Sequence, residues 1–279
     1  MEIKEKICII TGATSGIGRE TALELARAGA VLILPIRDSL KGDILKDEIL
    51  EQTPHAKLDF MHCDLASFAS IREFATAFKK KYKQLHILIN NAGIWETKRN
   101  LTEDGIERNF AVNHLAPFLL TNLLLETLKG SAPARIVNVA SDAHKQGKIN
   151  FTDLEYEKKF SSLGSYAQSK LANILFTKKL SQKLKGTGVT ANCLHPGVVS
   201  TNLFDKMPNL LMSIMSLFMI SPRKGAQTTL YLATSPQVEN VSGEYFAKSK
   251  SKKPAPQALR QDVADRLWEI SEKYVGIQS

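Results

Sequence analysis

Tyr166 and Lys170 stand four residues apart in SYAQSKLANILF. That spacing puts two side chains on one face of a helix. A phenol titrates near 10, too high to exchange protons readily at neutral pH. Bringing it to about 7 requires about 4 kcal/mol of preferential stabilisation of the phenolate. One ammonium about 4 Å away supplies about that much at an effective dielectric of 20. Burial opposes it, because desolvation disfavours the charged form. Ser141 closes the apolar run RIVNVAS, 25 residues before Tyr166. Its hydroxyl could hydrogen-bond a carbonyl or alcohol oxygen. Asn113 places an amide on the otherwise apolar pattern NFAVNHLAPF. Such an amide either orders a water and a neighbouring lysine or satisfies a backbone group. Together these four residues could run acid–base chemistry at a carbon–oxygen bond.

A second constellation lies near the start of the chain. The apolar run ICII leads into Thr11-Gly12-Ala-Thr14-Ser15-Gly16-Ile17-Gly18 and then into a helical pattern. Missing side chains permit a tight turn and close approach to a pyrophosphate, and a helix N-terminus offers unpaired N–H groups. The spacing is G-x-x-x-G-x-G, not the usual G-x-G-x-x-G fingerprint. After the next apolar run come Arg37 and Asp38. A guanidinium there suits the 2′-phosphate of NADP, whereas a carboxylate would serve NAD. Arg37 comes first, so NADP is the expected cofactor and NAD the less favoured one. Oxidised nicotinamide would add its own positive charge beside Tyr166. Asp64, in HCDL, could accept from an adenine amino group or cap the helix beginning near Ser67.

These groups need elements to position them. Short apolar runs at 7–10, 31–36, 57–63, 86–90, 135–140, 189–194 and 244–246 alternate with longer stretches of helical spacing such as IREFATAFKKKY. Continuous apolar strands with helical crossovers imply a parallel sheet covered on both faces. The expectation is an α/β fold: a single Rossmann-type, doubly wound domain over 1–279. It would hold about seven parallel strands flanked by helices on both faces, with an insertion at about 200–222.

The chain has 279 residues, 43% hydrophobic and 23% charged, which excludes a disordered or collagen-like chain. Cys8, Cys63 and Cys193 are too few and too scattered for a disulfide framework or a metal site. The opening MEIKEKICII runs straight into a strand without signal-peptide character, which points to a cytoplasmic setting. The net charge is +9, with lysine runs at 79–83 and 248–253. They read as a solvated helix end and a solvated loop. No aromatic residues alternate with them, so no nucleic-acid partner is expected.

With these residues in view, the sequence resembles the classical short-chain dehydrogenase/reductases over nearly its whole length. The matching pieces are TGATSGIG (11–18), Asp64-Leu65, NNAG (90–93), Asn113, Ser141, Tyr166-x-x-x-Lys170 and HPGVVST (195–201). NHLAPFLLTNLLL, RIVNVAS, YAQSKLANILF and HPGVVSTNL look more narrowly like the retinol-dehydrogenase-like branch. The resemblance implies roles. Tyr166 would be general acid in reduction and general base in oxidation. Lys170 would lower its pKa and bind the nicotinamide ribose. Ser141 would orient the substrate oxygen, and Asn113 would hold a proton-relay water. Asn91, Ala92 and Gly93 would line the adenine ribose side. Pro196, Gly197, Val199 and Thr201 would contact the nicotinamide end. The long helices after NNAG and around Tyr166 would be where a homodimer forms. Many members of that branch carry an N-terminal membrane anchor, whereas this sequence starts directly at the first strand, and it reads IRD where CRD is common.

Residues 207–222, MPNLLMSIMSLFMISP, carry no charge and four of the six methionines. They are too short to cross a bilayer. Flexible thioethers adapt to varied apolar ligands, so this segment is expected to be a substrate loop. A buried helix, a dimer contact and shallow membrane attachment are the other readings. The sequence thus predicts an NADP-dependent oxidoreductase for a small apolar alcohol, aldehyde or ketone: a retinoid, an aliphatic or aromatic aldehyde, or a steroid. A non-catalytic dinucleotide sensor, a membrane-surface lipid carbonyl reductase and an epimerase or dehydratase of the extended type are the alternatives.

Overall fold

The computed structural model describes residues 1–197 and 220–277. Strands β1 (Ile7–Ile10), β2 (Val31–Ile36), β3 (Lys57–His62), β4 (Ile87–Asn90), β5 (Ala134–Val139), β6 (Val189–His195) and β7 (Tyr245–Ala247) lie parallel. They are the seven apolar runs read from sequence. β8 (Lys250–Lys252) adds an antiparallel edge to β7, and the order is β3-β2-β1-β4-β5-β6-β7-β8. This corrects the reading of 248–253 as a loop. Lysine side chains project from an edge strand into water without disturbing its single ladder, and they discourage further pairing.

Alternate residues of each strand enter opposite layers of core. Ile9, Ile33, Leu88 and Ile136 join one cluster, and Cys8, Ile10, Leu32, Leu34, Ile89 and Val137 the other. Both faces are therefore dry, as the unbroken apolar runs require. On one face α1 (Gly16–Arg27) packs against α6 (Pro222–Thr234) and touches α2 (Ser39–Gln52). On the other, α3 (Phe68–Lys81) packs on α4 (Ala116–Lys129), and α5 (Ser162–Lys183) on α7 (Gln261–Val275). Among the described residues, no helix is long and apolar enough to cross a membrane, and no cluster of ligating side chains suits a metal.

α4 does not begin cleanly. An α-turn over Arg108–Phe110 is followed by a π-helical turn, Ala111–Leu115. Such turns widen the helix locally and recur at functional sites. Asn113 lies in that turn, so its displacement from a regular helical position was hidden from helical periodicity.

The strand order reverses between β1 and β4, which opens a crevice at the carboxyl ends of the strands. The loops after β1, β2, β3, β4, β5 and β6 all meet there. They carry the glycine turn, Arg37, Asp64, Asn91–Gly93, Ser141 and Pro196–Gly197 respectively.

Candidate active site

The glycine turn is built to bring backbone close to backbone. Gly12 has φ +67°, and a Cβ there would stand 2.9 Å from Ala92 Cα. A Cβ on Gly18 would collide with the Gly12 carbonyl oxygen and the Asn91 amide. Thr11 Oγ1 accepts from the amides of Asn91 (3.0 Å) and Ala92 (3.1 Å). Asn91 Nδ2 returns the bond to the carbonyls of Thr11 (2.9 Å) and Gly12 (3.2 Å). Asn91 is thus spent on holding the turn. Thr14 and Ser15 complete the turn, and Ile17 lies in the first turn of α1. Ser15 is the N-cap of α1 and makes no side-chain hydrogen bond to it. Asp and Glu are absent from that first turn. A helix start with no carboxylate and no capping hydroxyl on its amides fits an anionic group. The residues present therefore suit a dinucleotide pyrophosphate.

Arg37 is exposed to solvent, with Nη1 3.9 Å from Asp64 Oδ1. Asp38 turns the other way: it caps α2, accepting from the Lys41 amide at 3.3 Å. The acidic neighbour is thereby kept off the site beside Arg37. Asp64 Oδ1 accepts from the Ala66 amide (2.9 Å), and Ser67 caps α3 instead. Asp64 therefore does not cap that helix, and Leu65 follows it half-buried.

Tyr166 and Lys170 share one face of α5, as their spacing requires, and both are buried: 5% and 3% exposed. Lys170 Nζ lies 5.6 Å from the Tyr166 ring centroid and donates to the Val139 carbonyl at 3.3 Å. A Cβ on Gly93 would stand 3.0 Å from that nitrogen and 3.4 Å from Asn113 Oδ1. The glycine leaves room for the ammonium tip. Asn113 uses its amide fully: Oδ1 accepts from Ile94 N (2.8 Å), and Nδ2 donates to Ile94 O (2.9 Å) and Ser169 Oγ (2.9 Å). Of the two options read from sequence, its side chain takes the backbone one.

Burial pushes the Tyr166 phenol up to about 12, and the Ser141 hydroxyl, which accepts from the Ala143 amide at 3.2 Å, opposes this by favouring the ionised phenol. Burial also brings Lys170 down to about 8. Desolvation thus moves each group toward its neutral form, the direction that opposes an ionised phenol.

Four contributors carried no assigned role in the sequence reading. Thr11 ties the loops after β1 and β4. Trp95 stacks on Tyr166 with centroids 4.9 Å apart and planes 11° apart, and its Nε1 donates to Ser162 Oγ (2.7 Å). Glu107, fully buried, accepts from the amides of Asn109 and Phe110 and from Ser165 Oγ, each at 2.9 Å. It thereby fixes the π-turn region to the residue before Tyr166. His195 accepts from the amide following Ser141. An aromatic directly after NNAG-Ile was the one legible signal; the others depend on three-dimensional neighbours.

Pro196 and Gly197 follow β6, and a Cβ on Gly197 (φ +100°) would meet Ile220 at 2.6 Å. Val199, Thr201 and residues 207–219 lie outside the described residues.

The sequence model of the short chain dehydrogenase family matches residues 6–209. Retinol dehydrogenase 12 of Homo sapiens is 46% identical over 280 residues, covering 100% of this chain and 89% of that protein. An uncharacterized protein from Mycobacterium paratuberculosis superposes with TM-score 0.81 at 32% identity, over 99% of this chain and 96% of that one. The fold is shared with 3-ketoacyl-(acyl-carrier-protein) reductase from Brucella melitensis, solved with NADH. That match has TM-score 0.69 at 24% identity, over 88% of this chain and 96% of that one.

Proposed function

Because the chain belongs to the short chain dehydrogenase family, on its retinol-dehydrogenase-like side, we propose that it reduces apolar aldehydes or ketones with NADPH, Tyr166 delivering the proton. It is an oxidoreductase of alcohols and carbonyls, and structural neighbours of this fold bind NAD(P). The observation that carries the finer reading is the convergence of Ser141, Tyr166 and Lys170 beside the glycine turn.

The first-turn amides of α1 would hold the pyrophosphate, and Arg37 would hold a 2′-phosphate, with Asp38 drawn away onto α2. Asp64, Leu65 and Asn91–Gly93 would line the adenosine side. Pro196, Gly197, Val199 and Thr201 would line the nicotinamide side, and Lys170 would meet the ribose between them. When bound, the nicotinamide gives or takes the hydride and, in its oxidised form, adds a positive charge. Ser141 would orient the substrate oxygen toward the phenol. Trp95 supplies a flat apolar wall on one face of Tyr166, which supports a ligand with apolar character.

The protonated phenol is what supports the reductive reading. A phenol near 12 holds its proton at pH 7, and removing it there costs about 7 kcal/mol. Lys170, near 8, remains mostly charged at that pH. The chain's own groups thus present a proton donor, which is the requirement of carbonyl reduction. Absorbance of reduced nicotinamide tests this with NADPH and NADH against octanal, benzaldehyde, all-trans-retinal and a ketosteroid. Tyr166→Phe is expected to lose turnover by at least ~1,000-fold and keep NADPH binding. Full turnover by Tyr166→Phe, or a clear NADH preference, would overturn the corresponding part.

A further inference from the structure

Two histidines outside the proposed chemistry flank the peptide that follows Ser141. His144 Nδ1 lies 2.7 Å from the Ser141 carbonyl oxygen, and His144 Nε2 accepts the Ala255 amide at 3.1 Å. A ring nitrogen that accepts carries no proton, so in the neutral ring the proton sits on Nδ1 and is donated to Ser141. His195 Nδ1 accepts the Asp142 amide at 3.2 Å. Its proton therefore sits on Nε2. The carbonyl of residue 141 and the amide of residue 142 belong to one planar peptide unit. Both polar ends of that unit are held, one by each imidazole, in opposite tautomers.

We propose that His144 and His195 are positioning residues: as neutral rings of opposite tautomer they lock the Ser141–Asp142 peptide and thereby aim the Ser141 hydroxyl at Tyr166. This rests on the reading of Ser141 as the group that orients the substrate oxygen. The surroundings agree. The loop after β5 is pinned to β6, because the Ala140 amide donates to Leu194 O at 2.8 Å. Tyr245, on β7, packs edge-on against His144 with centroids 5.0 Å apart. Its hydroxyl donates to Asp142 Oδ1 (2.7 Å), and Lys145 Nζ donates to Asp142 Oδ2 (2.8 Å). The nearest carboxylate is thus already engaged. Gln257 Nε2 binds the carbonyl of Lys145 at 2.9 Å and closes the far side.

Burial is the main influence on both rings and keeps them neutral. Asp142 favours protonation of each, Lys145 opposes it in each, and His144 also opposes it in His195. Acid undoes the lock in a specific way. Protonated His195 would point Nδ1–H at the Asp142 N–H, and protonated His144 would point Nε2–H at the Ala255 N–H. Each change sets two donors against one another. The lock is complete at neutral pH and is lost below the ordinary imidazole range, since both rings resist protonation.

Two-bond proton–nitrogen correlation on the 15N-labelled full chain at pH 7.5 reads the tautomers without needing turnover. His144 is expected as Nδ1–H and His195 as Nε2–H, each titrating below the ordinary imidazole value. Finding the two in the same tautomer, or either one charged at pH 7, overturns the proposal. Failure of the oxidoreductase reading would look different: wild-type protein would oxidise no NADPH with any carbonyl of the panel. The second arm uses the best carbonyl of that panel. His195→Ala is expected to lower kcat at least ~10-fold with the KM for NADPH within ~2-fold. His195→Asn offers Oδ1 to the same amide and cannot charge. It should recover most of that kcat and shrink the wild-type acid limb to the part that His144 alone supplies. Unchanged kcat in His195→Ala, or an unchanged acid limb in His195→Asn, refutes the role. Should His195→Ala fail to fold, the tautomer spectrum and His195→Asn decide.

Discussion

Lys170→Met should make the protein more stable and nearly inactive. Lys170 is buried, and Val139 O at 3.3 Å is the acceptor of its ammonium. Burial holds its pKa at about 8 in place of 10.5. The difference amounts to about 3 kcal/mol at about 1.4 kcal/mol per tenfold in ionisation. The sign follows from linkage: the folded-state value is the lower one, so the folded chain binds a proton less readily than the unfolded chain. The penalty is complete below pH 8 and fades as pH climbs toward 10.5. Methionine keeps the unbranched stem and removes the charge. Losing the bond to Val139 returns about 1 kcal/mol. A net gain of about 2 kcal/mol at pH 7 should raise Tm by about 5 °C in a chain of this size. Urea unfolding followed by circular dichroism at pH 7 and pH 9.5 is the assay. The advantage of the variant should shrink at the higher pH, while its turnover falls at least ~100-fold. A variant less stable at pH 7, or an advantage that ignores pH, would refute the account of a strained, charged amine.

Arg37→Gln should raise the NADPH dissociation constant at least ~10-fold and leave that for NADH within about 2-fold, measured by fluorescence titration, because a phosphate loses its planar partner. Gly18→Ala should abolish NADPH binding and lower Tm, since the added methyl collides with the Gly12 carbonyl. Glu107→Gln places a donor among three donors in a fully buried spot. A loss of about 3 kcal/mol in urea unfolding is expected.

The seven core strands were legible because both faces of the sheet are covered, so each strand reads as an unbroken apolar run. Tyr166 and Lys170 were legible because helical spacing fixes a shared face wherever the helix lies. The glycine turn was legible through its place between a strand and a helix. β8 was not, because Lys250–Lys252 has no apolar face: it exists only because β7 offers a free ladder. The spent amides of Asn91 and Asn113 were not legible either, since their partners lie on segments distant in sequence or across a loop. The split duty of Arg37 and Asp38 depended on which way one carboxylate turns, and the capping of α2 decides that.

Asn91 ties the glycine turn to the neighbouring loop through its side-chain amide, and Thr11 answers with its hydroxyl. The glycine-turn end of the site is therefore preorganised. Little conformational entropy need be surrendered on association, so more of the contact energy appears as affinity.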